Sequence, residues 1–512
     1  MKSNYYITVS FILFGMVLMS SCDDKFDSYN NDPNSSTSVT SSMLATNCIR
    51  QLWTTYAEPK LYMKNYMLSK YISWSEANDI DIAFNKLGRT NFTDMTMLYN
   101  IQKMVDNAGN DGLKNAYKGI GHVLRAIKFF DATLRVGDIP YSEAMQGEDG
   151  ITNPKYDSQR DVLLGLLEEL EEADRLLSNG SDFAGDIVYG GSCSQWRKAA
   201  NVLELKILIN LYNKTSDSEL NVKGRFKNIV TGKPLFISND DNLQLVHSDA
   251  SGQKPEFYRE GNNYVGYIQI SSEVVDSLKA LGDYRLFYYA RPTPNAMNTG
   301  RSVSDWNSYA GVESTMTEEE IQAAVNSGNV SQTNIRYTDD VIGEPSVILS
   351  YSEMNFILAE ACVRGLLDGN AKNYYEKGIE AALRFTADNT RDNADYHHNM
   401  KITDEYISDY LKHQGVTFST SSARQIEQII EQKYLATFLQ QPYNGFYEYR
   451  RTGYPVLPIN AKSNRNTPTN KMPVRWMYPQ TEYDYNGDNV QQAVQSQFGG
   501  NDDENQIMWL LK

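Results

Sequence analysis

The sequence indicates covalent modification of a side chain most clearly at Cys22. It follows an apolar run at residues 7–19 and two small serines, with Lys2 supplying a positive charge ahead of the run. The 13 residues of this run are too few to span a bilayer, which takes about 20. The order of a positive charge, a short apolar run and small residues is typical of a secretory signal. A cysteine directly after the small residues is what a bacterial lipoprotein signal requires. We predict removal of residues 1–21 and lipidation of Cys22; an ordinary signal peptide with an incidental cysteine is the alternative.

A polar segment follows Cys22. Residues 23–42 contain almost no aliphatic side chains and consist mainly of Asp, Asn, Ser, Thr and Pro, so they cannot form a core of their own. We predict that residues 22–42 are a flexible tether with an end-to-end distance of roughly 25 Å. A lipid on Cys22 would then hold the remainder, residues 43–512, close to a membrane surface. No later segment is apolar enough to span a bilayer.

Motifs for catalysis or metal binding are missing from the sequence. None of the five histidines has metal-ligand spacing, and no nucleophile elbow, P-loop or dinucleotide motif occurs. We therefore predict no enzyme activity, no metal and no cofactor. We also expect His122 to be paired on a helix and His397 and His398 to lie at the surface. A hydrolase is an alternative, because two carboxylates suffice for glycoside hydrolysis and the chain has 64 acidic residues.

Composition narrows the classes of partner. The net charge is −16 and no basic block occurs, which disfavours nucleic-acid binding. Only Cys48, Cys193 and Cys362 remain besides Cys22, and an odd number cannot form a disulfide framework. Tyrosine outnumbers phenylalanine by 35 to 18, which favours aromatic rings at surfaces and interfaces.

Amphipathic helices must position any site in this chain. Apolar residues recur at three- and four-residue spacing in six segments, and Ser192, Ser350 and Ser422 each stand where a capping box would open a helix. The segments are 113–134, 162–177, 196–211, 350–365, 374–385 and 422–438. The spacing predicts a mostly α chain of paired helices.

Two parts of the chain lack this pattern. Residues 214–349 and 441–512 are rich in Gly, Asn, Ser, Thr, Tyr and Pro, with short strand-like runs such as 242–247. We predict one domain over residues 43–512. Its helical scaffold would comprise 43–213 and 350–440, and the two irregular stretches would pack on it as a loop-rich part.

Seven short strings occur in a distinctive order. They are NDPN after Cys22, GDIPYSEA (137–144), GDIVYGG (185–191) leading into QWRKAANVLELKI, LSYSEMNFILAEA (349–361), FYEYRRTGYPVLP (446–458), RWMYPQTEY (475–483) and IMW (507–509). This order resembles the SusD/RagB family, in its SusD-like branch, over essentially the whole chain. Within the strings, we expect Glu353 to cap its helix, and Glu360, Arg450 and Arg451 to form internal pairs.

The resemblance implies a fold and a function. The fold would be a scaffold of tetratricopeptide-like helical hairpins with a loop-rich part packed on it. The protein would be an outer-membrane lipoprotein, exposed at the cell surface. It would bind an oligosaccharide, or in some members a peptide, and deliver it to a SusC-type TonB-dependent transporter.

Two tryptophans in polar segments are candidates for such a ligand. Sugars present flat C–H faces that pack on exposed aromatic rings, while polar groups bind their hydroxyls. Trp74 and Trp306 have no helical stripe to bury them, Arg89 follows Trp74, and Tyr309 follows Trp306. We predict that these four residues bind ligand on an exposed platform. The alternative is that the tryptophans plug their loops onto the scaffold.

Three hypotheses therefore stand. The first is a non-catalytic lipoprotein that captures glycan or peptide. The second is a tetratricopeptide-like scaffold that binds only proteins, and the third is a hydrolase. Aromatic residues in polar loops favour the first.

Overall fold

A computed structural model describes residues 39–53, 59–76, 80–260 and 262–512, with the side chains of all of these except 59–62 and 263. The predicted signal peptide, Cys22 and most of the tether lie outside the described residues. Within the described residues the chain forms 19 α-helices and four short strands. The prediction of a mostly α fold is thus confirmed.

The helices are numbered in chain order. They are α1 (Ser41–Arg50), α2 (Pro59–Leu68), α3 (Tyr99–Asp106), α4 (Asp111–Val136), α5 (Gln159–Ser178), α6 (Cys193–Asn210), α7 (Val222–Gly232), α8 (Ser272–Leu281), α9 (Arg285–Tyr289), α10 (Pro294–Asn298), α11 (Glu318–Asn326), α12 (Tyr351–Val363), α13 (Ala371–Asp388), α14 (Ala394–His397), α15 (Asp404–Tyr410), α16 (Ser422–Ala436), α17 (Asn444–Thr452), α18 (Gln480–Tyr485) and α19 (Gly487–Phe498). The strands are β1 (Ile72–Trp74), β2 (Leu243–Leu245), β3 (Ile268–Ile270) and β4 (Ser346–Leu349).

Long helices pack in pairs to form the scaffold. In the first half α4 packs along α5, and α5 packs along α6; in the second half α12 packs on α13 and α16. Contacts between α6 and α12 join the two halves. Helix α5 shows why: Val162, Leu166 and Leu170 are fully buried on one side, while Glu168 and Glu171 are exposed on the other. An apolar stripe of this kind is stable only against a partner helix.

Small residues let the helices approach closely. A Cβ at Gly119 of α4 would lie 2.7 Å from Leu177 Cγ of α5, and one at Gly121 would lie 2.7 Å from Ile101 Cγ2 of α3. Neither distance leaves room for a side chain. The two glycines therefore set the packing of α4 against both neighbours.

Serine N-caps open two of the helices, which confirms the serine half of each predicted capping box. Ser192 Oγ accepts a hydrogen bond from the Gln195 amide at 3.4 Å, and Ser350 Oγ accepts one from the Glu353 amide at 3.0 Å. The third predicted cap is wrong by one residue, because Ser422 is already the first helical residue of α16. The N-cap of α16 is Ser421, whose side chain makes no capping bond and whose amide donates to Ser419 Oγ at 3.1 Å.

The irregular regions contain more structure than periodicity indicated. Residues 214–349 include α7 to α11, and residues 441–512 include α17 to α19. Most of these helices are too short to show a full apolar stripe. The strands form two antiparallel pairs, β1 with β3 and β2 with β4. The pair of β2 and β4 confirms the strand expected within residues 242–247.

Seven charged side chains connect α6, α12, α16 and α17 through the interior. In order of contact they are Lys206, Glu353, Lys433, Glu448, Arg451, Glu360 and Arg364. We call this set the ionic network. Burial alone raises the pKa of Glu448, but Arg451 and Lys433 outweigh burial and lower this pKa below its usual 4.5. Such a charge is stable in the interior only because it is paired.

The ionic network tests three expectations. Internal pairing is confirmed for Glu360 and Arg451, whose Oε2 and Nη2 atoms lie 2.7 Å apart. Capping is not the role of the Glu353 side chain, whose Oε1 lies 2.9 Å from Lys206 Nζ and 3.3 Å from Lys433 Nζ. Arg450 instead donates to the backbone carbonyls of Leu134 and, at 2.8 Å, Val474. The prediction of an internal ion pair is therefore wrong for Arg450, whose partners are backbone carbonyls.

Candidate functional site

Three aromatic rings gather where β1 and β3 pair. Trp74 ends β1 opposite Ile268, the first residue of β3, and a 3₁₀ turn over Asn263–Tyr267 leads into that strand. A 3₁₀ helix has three residues per turn, so Tyr264 and Tyr267 fall on one side of it. Their ring centroids lie 5.9 Å and 5.6 Å from that of Trp74. We call Trp74, Tyr264 and Tyr267 the aromatic cluster.

The exposed rings of the cluster are its tyrosines. Trp74 is only 3% exposed, so the prediction of an exposed indole is wrong for this residue. The reason is that β3 and the 3₁₀ turn that precedes it cover Trp74, a contact between segments almost 200 positions apart. Tyr264 and Tyr267 are 36% and 37% exposed. Trp74 thus supports two tyrosine rings that solvent can reach.

The interior side of Trp74 has no space for a ligand. A cavity of about 10 Å³ there is lined by Lys70, Trp74, Phe84 and Ser314 among others, which is room for about one water molecule. Lys70 Nζ donates to Asn85 Oδ1 at 2.8 Å and to Ala83 O at 3.2 Å. Burial lowers the pKa of Lys70 to about 8, against the opposing effect of Glu273. Any ligand must therefore reach the cluster from the tyrosine side.

Trp306 and Tyr309 pack in a different place. Trp306 is half-buried, with its ring centroid 4.8 Å from Phe287 and 6.1 Å from Tyr284. Tyr309 is 1% exposed, so the prediction that it lies on an exposed platform is wrong. Its hydroxyl donates to Val303 O at 2.5 Å and its ring packs edge-on against Phe287. These are the contacts expected of residues that fasten a loop.

Arg89 is held by the C-terminal part of the chain. Its Nη1 donates to Tyr478 O at 2.7 Å and to Asp502 Oδ2 at 3.0 Å. The guanidinium also lies 4.9 Å from the ring centroid of Tyr483. The structure therefore does not bring the four predicted residues into one platform.

Sequence reasoning missed Tyr264 and Tyr267. The available signal was their spacing of three residues in a polar segment, GNNYVGY. The two tyrosines lie on the same side only because this segment forms a 3₁₀ turn. Trp74 lies beneath their rings only because β1 pairs with β3.

Three of the histidines bond neighbouring groups. His122 Nδ1 lies 3.0 Å from Glu169 Oε2, so the paired helix histidine is confirmed. His397 and His398 are buried, which corrects their assignment to the surface. His398 Nδ1 lies 2.7 Å from Phe287 O, so it joins two segments of the interior. Across the residues described here, no group of three or more His, Cys, Asp or Glu could hold a metal ion.

A family comparison matches the order of strings in the sequence. A family model, SusD-like_2, described as starch-binding and associating with the outer membrane, matches residues 33–479. The chain belongs to the SusD-like family. This confirms the resemblance noted from the sequence.

Solved structures of SusD-like proteins share the whole fold. A SusD homolog from Bacteroides fragilis NCTC 9343 is 43% identical with a TM-score of 0.89, over 93% of this chain and 100% of that one. A second SusD homolog from the same strain is 35% identical, with a TM-score of 0.81 and the same coverage. A chitin-binding SusD homolog from Flavobacterium johnsoniae is 19% identical over 92% of this chain and 98% of that one, with a TM-score of 0.70, and shows the fold alone.

Two further findings complete the comparison. None of the curated proteins compared with this SusD-like chain matches it. Among the described residues, no helix combines the length and apolar character needed to cross a membrane.

Proposed function

We propose that this SusD-like protein binds an oligosaccharide on the aromatic cluster. The observation that carries the proposal is the pair of exposed rings, Tyr264 and Tyr267, supported from below by buried Trp74. Tyrosine offers an apolar face to the C–H groups of a sugar and a hydroxyl to its polar edge. The family's description as starch-binding supports the same class of ligand.

The proposal assigns different roles to the four residues predicted from sequence. Trp74 supports the ligand-binding tyrosines. Trp306 and Tyr309 fasten their loop against Phe287, and Arg89 fastens the C-terminal segment. No catalytic step is assigned to any of them.

Alanine substitutions of the two tyrosines test the proposal. Tyr264→Ala and Tyr267→Ala should each weaken binding of a starch- or chitin-derived oligosaccharide by about 1–3 kcal/mol, the range of an interface anchor. Isothermal titration calorimetry measures this change. Tyr99→Ala is a matched control, because Tyr99 is an exposed tyrosine on α3 outside the cluster. Oligosaccharide binding that is equal in all three variants and the wild type would contradict the proposal. Binding of peptides alone would redirect it to a peptide ligand.

We also propose that Cys22 carries a lipid anchor and that the protein delivers its ligand to a SusC-type TonB-dependent transporter. Support for the anchor comes from the signal at residues 1–22 and from the family's association with the outer membrane. Labelling with a fatty acid should mark the wild type and fail to mark Cys22→Ala. Mild detergent extraction and affinity capture should recover the transporter, and capture of the protein alone would argue for a free-standing binder.

A further inference from the structure

A cleft opens beyond the C-terminal end of α8. It has a volume of about 680 Å³ and lies between that end of the helix and α15, within the size range of small-molecule sites. Tyr284, Tyr406, Asn399, Lys401, Glu405 and His413 are among its lining residues. The aromatic cluster adjoins β3, just before α8 begins. The 10 residues of α8 extend about 15 Å, so the cleft and the cluster are separate places.

Two tyrosine rings form a fixed wall of the cleft. The rings of Tyr284 and Tyr406 stack with their centroids 3.8 Å apart. The Tyr284 amide donates to the Tyr406 hydroxyl at 2.8 Å, and that hydroxyl donates to Gly282 O at 3.1 Å. Both bonds hold the Tyr406 ring in place. A wall held in this way loses little conformational entropy when a ligand packs on it.

Polar groups around the wall include donors and acceptors. The Gly415 amide donates to His413 Nδ1 at 3.2 Å, so the neutral imidazole carries its proton on Nε2 and can donate from there. The side chain of Glu405 is exposed and makes no hydrogen bond or ion pair with the other described residues. Lys401 Nζ bonds Asp392 at 2.7 Å, which leaves further donors on its ammonium group.

The combination of groups indicates the class of ligand. A strongly charged ligand would need an uncompensated excess of one sign. The cleft is lined by Lys401, Glu405 and Asp409, and the charge of Asp409 is already compensated by Lys412 at 3.0 Å, which leaves Lys401 and Glu405 with opposite charges. Hydroxyl groups donate and accept, so they can bond both kinds of partner. We propose that this cleft is a second carbohydrate site, which takes one sugar ring against the Tyr284–Tyr406 wall. The assignment of a sugar as the ligand rests in part on the proposed function, whereas the geometry of the cleft does not depend on it.

Monosaccharide binding tests the cleft in the full folded protein. Saturation-transfer difference NMR would use glucose, galactose, mannose, xylose and N-acetylglucosamine, each at high millimolar concentration. The background would be a variant with Tyr264→Ala and Tyr267→Ala, so that the aromatic cluster contributes no signal. At least one sugar should still receive saturation. Adding Glu405→Ala should weaken its binding about tenfold, as expected for the loss of one hydrogen bond to a charged group.

Two further variants make the outcome decisive. Tyr284→Ala should abolish the signal, with thermal melting to check that the protein is folded. Glu168→Ala removes an exposed glutamate of α5 outside the cleft and should leave the signal unchanged. Absence of transfer from all five sugars, or transfer that survives both Glu405→Ala and Tyr284→Ala, would overturn the second site. Failure of the proposed function would appear differently, as oligosaccharide binding that is unchanged by Tyr264→Ala and Tyr267→Ala.

Discussion

The helical scaffold and the irregular region of residues 214–349 share an apolar core but differ in the polar bonds that join their segments. In the scaffold, apolar stripes such as that of α5 pack against neighbouring helices. In the irregular region, buried polar side chains bond the backbone of distant segments. Asn334 donates to Phe287 O at 2.9 Å and to Tyr396 O at 3.1 Å, and Arg336 Nε donates to Tyr288 O at 2.9 Å.

Buried charge occurs in both regions but joins different partners. The ionic network connects three helices of the scaffold, α6, α12 and α16, with α17 of the second irregular stretch. In the irregular region Asp283 and Arg285 are fully buried together, two positions apart, and Arg285 Nη2 reaches Gln432 Oε1 of α16 at 2.9 Å. Charged groups in the scaffold thus connect helices already paired through apolar surface. In the irregular region polar bonds lie beside apolar core residues such as Val274, Leu278 and Phe287 and join fewer long elements, so each one should hold less of the molecule.

The largest effect should follow from breaking the ionic network. Arg451→Met removes the partner of Glu360 and Glu448 and leaves two carboxylates buried with too little compensating charge. The free energy of unfolding should fall by about 3–5 kcal/mol, measured by urea denaturation. The control Glu168→Ala should change it by less than about 0.5 kcal/mol. A loss below about 1 kcal/mol for Arg451→Met would show that apolar packing alone holds the scaffold.

A smaller and more local effect should follow from Asn334→Ala. The change leaves the Tyr396 carbonyl without its side-chain donor and the Phe287 carbonyl with His398 as its remaining side-chain donor, at a cost of about 1–3 kcal/mol. Amide hydrogen exchange should become faster in α9 and α14 and remain unchanged in α5, because local opening need not involve the scaffold. Asn501→Ala, at an exposed asparagine, is the control. Equal acceleration in α5 would mean that the two regions open as one unit.

The smallest effect should come from Arg89→Ala. Arg89 is 36% exposed at its side chain, and its ion pair with Asp502 therefore contributes little. The free energy of unfolding should fall by about 1 kcal/mol or less, and oligosaccharide affinity should not change. Thermal melting and calorimetry on the same variant measure both. If oligosaccharide affinity falls while stability does not, Arg89 takes part in ligand binding, as the sequence predicted.

Local patterns predicted the scaffold well and the candidate site poorly. The stripe in residues 162–177 predicted α5 because burial of a helix face repeats along the chain. The caps at Ser192 and Ser350 were predictable because their partners lie three residues away. Trp74 was predicted to be exposed because its neighbours in sequence are polar, while the chain that covers it lies near residue 267.

The amino-acid sequence by itself determined the helical class, the main helices and the SusD-like family. Each of these depends on composition, on spacing within one helix or on short strings in order. Tertiary structure alone decided that Tyr264 and Tyr267 lie over Trp74, that Tyr284 stacks on Tyr406, and that Arg451 meets Glu360. The physical reason is that these contacts join segments about 90 to 190 positions apart, and a local pattern carries no information on which distant segment will cover a side chain.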